Sequence, residues 1–135
     1  MTEIRYAIMN DYDLLASKDS HIKKSEWKNL IKNNQALTFY ADGHFAGWLR
    51  YNLFWNEIPF MNMLYFLEEY RGKGYGSQMV QFWENEMVKL GYDKVMTSSQ
   101  ANESAQYFYR KLGYQDAGSF FPFCRDLEII FTKEL

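Results

Sequence analysis

The sequence predicts an α/β (α+β) fold in which one mixed sheet carries helices on both faces. Three observations predict it. An Asp-Gly pair at 42–43 separates two strand-like runs, a hairpin signal that makes those strands antiparallel. The order strand, amphipathic helix, strand across 58–99 requires a right-handed crossover and therefore a parallel pair. A second amphipathic helix and two further strand-like runs then complete the chain.

Taken in order, "IRYAI" (4–8) is rich in β-branched and aromatic residues and reads as the first strand. "NDYDLLASKDS" and "KSEWKNLIKNN" read as two short helices, with Trp27, Leu30 and Ile31 at helical spacing in the second. "ALTFYADG" (36–43) and "HFAGWLRYNLFW" (44–55) are the hairpin strands. "IPFMNMLYFLE" (58–68) is apolar on both faces, as a central strand would be. A long helix runs from Gly74 to about Leu90, with Met79, Phe82, Trp83, Met87 and Leu90 on one face and Glu84 elsewhere. "DKVMTSS" (93–99) is a strand, and "ESAQYFYRKLG" (103–113) is a helix with Asn102 at its N-cap and Gly113 at C′. Strands near 114–121 and 127–133 follow.

The chain has 135 residues and shows no repeat or linker, so residues 1–135 read as a single domain. With 47% hydrophobic residues it can build a core without staples. The lone Cys124 allows no internal disulfide and fits a reducing compartment. No segment resembles a signal peptide and no apolar run reaches membrane-spanning length, so the expected location is the cytoplasm, without membrane association. A net charge of −2 and a pI near 5.7 argue against a nucleic-acid partner, which normally meets a basic excess. The 11 Phe, 11 Tyr and 4 Trp are first of all core material.

The informative stretch is "EYRGKGYGSQMV" (69–80), where three glycines and two basic residues stand at a strand-to-helix junction. A helix start leaves its first N–H groups unpaired, and the helix dipole adds positive potential there. Glycines let backbone approach a ligand closely, and Arg71 and Lys73 add charge, so the segment reads as a pyrophosphate cradle. A P-loop would need G-x-x-x-x-G-K-[ST], which is absent. A dinucleotide fingerprint would need G-x-G-x-x-G beside an early strand, whereas Gly72, Gly74 and Gly76 are spaced G-x-G-x-G after a late one.

What does fit is R-x-x-G-x-G over Arg71, Gly74 and Gly76. With "NESAQYFYRKLGY" (102–114) downstream, the chain resembles the GNAT superfamily of acyl-CoA N-acyltransferases. The first stretch is similar to that family's motif A and the second to its motif B, in the expected order. The likeness runs from the first strand to the last. It implies a mostly antiparallel central sheet of about seven strands with one splayed parallel pair. It also implies acetyl-CoA as co-substrate, no metal, and an amine acceptor, in a monomer or homodimer.

By that resemblance, backbone groups of Leu64 and Phe66 pair with the pantetheine amides. Amides across Arg71, Gly72, Lys73, Gly74, Tyr75, Gly76 and Ser77 hold the pyrophosphate, and Asn102 touches the cofactor. Tyr109 is the catalytic candidate: a phenol, protonated at neutral pH, donates to the departing thiolate, whose conjugate acid titrates near ~8.5. The Leu64 N–H is the candidate for the oxyanion. Lysine-acetylating members of one branch carry a Glu in the motif A strand, but this strand reads "PFMNML", without a carboxylate. Glu57, Glu68 and Glu69 only flank it, His21 and His44 are bystanders, and the general base stays unassigned. An aromatic acceptor pocket would draw on Trp48, Arg50, Tyr51, Trp55, Phe120, Phe121 and Phe123, with the loop "SFFPFCRD" beside it. The expected reaction is acetyl transfer from acetyl-CoA to a primary amine of a small molecule or peptide by direct attack. A non-catalytic acyl-CoA sensor and another kind of nucleotide-binding domain are its rivals.

Overall fold

The first strand, β1 (Thr2–Tyr6), pairs antiparallel with β2 (Ala36–Ala41) in the computed structural model, which describes residues 1–135. The Asp-Gly signal forms the expected turn: Asp42 and Gly43 take φ of 50° and 82°, and β3 (His44–Phe54) returns antiparallel to β2. A second turn precedes β4 (Ile58–Phe66), with Trp55 and Asn56 at φ of 56° and 57° and the Glu57 N–H bonded to the Phe54 carbonyl at 3.0 Å. It has the same left-handed geometry without a glycine, Asn56 being the one residue there that favours it.

Strand β5 (Lys94–Gln100) runs parallel to β4, with Phe60 opposite Met96 and Met61 opposite Thr97. Strand β7 (Glu128–Glu134) lies antiparallel to β5, and β6 (Gln115–Phe120) closes the edge against β7. The seven strands follow the order β1-β2-β3-β4-β5-β7-β6, which puts β4 fourth, as its two apolar faces predict. The four helices are α1 (Tyr12–Lys18), α2 (Lys24–Lys32), α3 (Tyr75–Lys89) and α4 (Ala105–Lys111).

The chain divides into two compact units, residues 1–52 with 63–82, and residues 53–62 with 83–135. In the first, Trp27 and Ile31 of α2 are one turn apart and buried with Leu15, Ala36 and Trp48 in one apolar cluster. Each such side chain contributes on the order of 1.5–3 kcal/mol by leaving water. The first unit also buries a charge: Asp19 accepts from Arg50 Nε at 2.8 Å, from Trp48 Nε1 at 3.2 Å and from the His21 N–H at 3.1 Å.

In the second unit Trp83 and Met87 of α3 are fully buried, as the helical spacing predicts. Leu90 is not: it is 61% exposed, because α3 ends at Lys89 and the chain turns through Gly91 at φ 96°. Glu84 also departs from the expectation and is 5% exposed. Its carboxylate accepts from the Tyr114 hydroxyl at 2.8 Å and from Lys133 Nζ at 3.0 Å. Helix α4 ends as its glycine predicts. Gly113, at φ 94°, donates to the Arg110 carbonyl, and the Tyr114 N–H to that of Tyr109 at 3.1 Å.

Candidate active site

In the first unit β4 runs into a 3₁₀ turn (Glu68–Tyr70) and then the glycine-rich loop that opens α3. Gly72 and Gly74 take φ of 74° and 82°, backbone that side-chain-bearing residues rarely adopt. A Cβ added at either would meet nothing within 4 Å, so the space beside this backbone is open to a ligand. The first bond of α3 runs from the Gln78 N–H to the Gly74 carbonyl at 3.2 Å. The N–H groups of Tyr75, Gly76 and Ser77 therefore have no intrahelical acceptor, at the positive end of the helix dipole. Lys73 and Ser77 are exposed beside them. This is the chemistry of an anion site made by backbone.

Arg71 does more for the loop than supply charge. Its Nε donates to the Phe66 carbonyl at 2.8 Å, and its guanidinium lies 4.9 Å from the centroid of the Tyr65 ring. The side chain thus ties the loop to the end of β4. The Tyr75 ring packs 4.8 Å from Phe39, and Phe66 is buried 5.1 Å from Phe39. Leu64 is half-buried on the same strand.

Sequence reasoning missed Gly47, on β3. A Cβ there would stand 2.6 Å from Phe66 Cδ1 and 2.6 Å from the Tyr65 carbonyl oxygen. Beside it the Leu67 N–H donates to the Ala46 carbonyl at 2.9 Å. An isolated glycine within a strand pattern was the available signal of such an approach.

The second unit holds Tyr109 and Asn102. Tyr109 is 6% exposed, with its ring 5.7 Å from Tyr114 and 6.0 Å from Phe131. Burial pushes its hydroxyl up to about 12, only partly opposed by a hydrogen bond with Thr97. Thr97 itself lies with its Oγ1 2.9 Å from the Met61 carbonyl oxygen, to which it donates. Asn102 does not cap α4. The helix begins at Ala105 with Ser104 at the N-cap, and Asn102 Nδ2 instead donates to Asp126 at 3.0 Å. The turn between Gln100 and Ala105 displaces the helix start and is held by Gln106 Nε2, which donates to the Ala101 and Glu103 carbonyls.

The expected aromatic pocket dissolves in part. Trp48, Arg50 and Tyr51 are 2%, 7% and 4% exposed, because the first unit uses them for its core and its buried ion pair. Trp55, Phe121 and Phe123 are exposed. Phe120 alone of that set lines a cleft of about 370 Å³, within the second unit. Phe54, Phe60, Pro122 and Ile130 give the cleft apolar walls, and Asn62, Ser98, Arg125 and Glu128 its polar groups. Phe120, Pro122 and Arg125 come from the loop the sequence singled out, whereas the strand contributions were not foreseen.

The comparisons agree with this architecture. An N-acetyltransferase, PaiA, from Thermoplasma acidophilum, solved in complex with coenzyme A, superposes with a TM-score of 0.83 at 20% identity, over 100% of this chain and 99% of that one. An acetyltransferase of the GNAT family from Bacillus cereus gives 0.79 at 22% identity, over 99% and 97%. One from Streptococcus pneumoniae gives 0.79 at 16%, over 100% and 99%. At these identities the likeness is one of fold. No curated protein sequence matches. The model of the acetyltransferase (GNAT) family matches residues 2–114, most of the chain and both motifs, and the chain therefore belongs to the acetyltransferase (GNAT) family.

Proposed function

We propose that the chain, acting as one cytoplasmic N-acetyltransferase domain over residues 1–135, moves an acetyl group from acetyl-CoA to a primary amine. The observation that carries the reading is the start of α3. Two left-handed glycines stand beside open space, followed by three N–H groups without intrahelical acceptors. Amides from Gly72 to Ser77 take the pyrophosphate, the Arg71 N–H being bonded to the Glu68 carbonyl at 3.2 Å; Lys73 adds charge, and Leu64 and Phe66 pair with the pantetheine arm. A coenzyme A complex in a relative of the same fold supports the choice of cofactor.

In the reaction the lone pair of the neutral amine attacks the thioester carbonyl carbon, and a C–N bond forms. The Leu64 N–H takes the oxyanion. The intermediate collapses as the C–S bond breaks, the nitrogen gives its proton to solvent, and CoA leaves as thiolate. Tyr109 donates a hydrogen bond to that sulfur. Burial holds its hydroxyl above the ordinary phenol range, and a thiol titrates well below that range, so full proton transfer to the sulfur is uphill. The phenol therefore keeps its proton and donates to a charged acceptor, which forms a stronger hydrogen bond than a neutral one. Asn102, oriented by its hydrogen bond to Asp126 of the β6–β7 loop, touches the cofactor.

A calorimetric titration with acetyl-CoA, with NAD and ATP run beside it, tests the reading. Saturable micromolar binding of acetyl-CoA alone, about −8 kcal/mol, is the expected result. Binding of NAD or ATP in its place would overturn it. Binding of acetyl-CoA with no transfer to any amine would favour the sensor reading, for which the carboxylate-free strand around Asn62 is the specific support.

A further inference from the structure

We infer that the cleft of the second unit receives an amino acid with a large apolar side chain, bound through both its charges; this rests on the acetyl-transfer reading above. The cleft lies over a sheet face. Phe60 is carried on β4, Ile130 stands opposite Ser98, and Glu128 opposite Phe120. The rings of Phe54 and Phe60 lie 6.1 Å apart, nearly parallel, and form one apolar wall. Its volume, about 370 Å³, falls in the range of small-molecule sites.

The charges decide the class. Arg125 and Glu128 line the same cleft yet make no ion pair, with each other or with any other residue. The chain's other arginines are engaged: Arg5 with Asp11, Arg50 with Asp19, Arg110 with Asp116, and Arg71 with a carbonyl. Two opposite charges three residues apart, both unneutralised beside an apolar wall, complement a ligand that carries an ammonium, a carboxylate and a hydrocarbon body. A guanidinium presents a fork that matches a carboxylate, which an amide or a peptide interior lacks. Glu128 is half-buried and draws the amino group to the strand side. Since a carboxylate favours the ammonium form, the amine loses its proton to water before the attack described above.

The test separates the two charges. Phenylalanine, 3-phenylpropanoate (carboxylate only) and phenethylamine (amine only) are titrated into the wild type, Arg125→Ala and Glu128→Gln, each with and without saturating CoA. Arg125→Ala should weaken phenylalanine and phenylpropanoate by about 10- to 100-fold and leave phenethylamine unchanged. Glu128→Gln should weaken phenylalanine and phenethylamine by about 10-fold and leave phenylpropanoate unchanged. Variants that alter all three ligands alike, or a wild type that binds none of them, overturn the inference. Binding of CoA in the same titrations confines that failure to the acceptor. Absence of CoA binding removes the acetyl-transfer reading, and the acceptor assignment with it.

Discussion

Gly47 is the residue whose replacement links packing to the cofactor loop most directly. In Gly47→Ala the new methyl would sit 2.6 Å from Phe66 Cδ1, 2.9 Å from Cε1 and 2.6 Å from the Tyr65 carbonyl oxygen. Carbon atoms in contact prefer about 3.5–4.0 Å, so roughly 1 Å must be found. The phenyl ring can turn away from the methyl, but the carbonyl belongs to a strand backbone pinned by the Leu67–Ala46 bond at 2.9 Å. Overpacking of this kind costs about 1–3 kcal/mol, and alanine recovers about 0.5–1 kcal/mol of glycine's conformational entropy. The expected net loss is about 1 kcal/mol, or a fall in Tm of about 3–5 °C at this chain length. Phe66 packs on Phe39 and Tyr75, the first residue of α3, so the displacement reaches the amides proposed to hold pyrophosphate. Thermal unfolding by circular dichroism measures the first effect, and acetyl-CoA titration the second. Gly43→Ala is the control: strained at φ 82° but open in space, it should lower Tm and leave binding alone. An unchanged Tm in Gly47→Ala would refute the packing argument, and a lower Tm with full affinity would refute the link to the loop.

The remaining predictions concern the cradle, the tyrosine and a buried carboxylate. Gly74→Ala puts a methyl into the open space at φ 82° and should weaken acetyl-CoA by about 10-fold or more, read by calorimetry. Tyr109→Phe should lower kcat by about 10- to 100-fold with acetyl-CoA affinity nearly unchanged, and equal turnover would remove the residue from the mechanism. Asp19 supplies a pH signature. Burial alone would raise its carboxyl, but the Arg50 hydrogen bond and charge, with the His21 N–H and the Trp48 indole, bring it below 3.8. A group depressed by folding stabilises fully above its unfolded value and ceases to do so as pH falls through the folded one. Denaturant titrations should therefore show stability flat from pH 7 to 5 and falling below about 4. In Asp19→Asn, stability at pH 7 should drop by about 3–5 kcal/mol, because Arg50 stays buried without its partner, and part of the acid-limb fall should vanish.

What could be read in advance was whatever the chain encodes locally. Trp27 and Ile31, or Trp83 and Met87, declare their buried face through spacing alone. Asp42-Gly43 and Gly113 announce their turns because only certain residues accept those backbone angles. The R-x-x-G-x-G stretch is local too: Gly72 and Gly74 take left-handed angles at the strand-to-helix junction, while Gly76 lies within α3. The second turn, at Trp55-Asn56, shows the limit even here: Trp55 takes a left-handed angle that its residue type does not advertise.

The buried charges escaped for the opposite reason. Glu84 looked like the polar face of α3, and Arg50 like a pocket residue, because burial of a charge depends on a partner and the partners are distant in sequence. Asp19 meets Arg50 31 positions on, and Glu84 meets Tyr114 after 30 and Lys133 after 49. The same logic sets the standing of Arg125 and Glu128. They are close in sequence, both line the cleft, and neither has found a counter-charge in the fold. A protein that neutralises Asp19 and Glu84 across such separations leaves this adjacent pair open, and the open pair faces a cleft whose walls would hold a hydrocarbon body. The reason lies in the ligand rather than in stability: replacing either residue should change which ligands bind and leave Tm within about 1 °C, since exposed or half-exposed unpaired charges contribute little to folding.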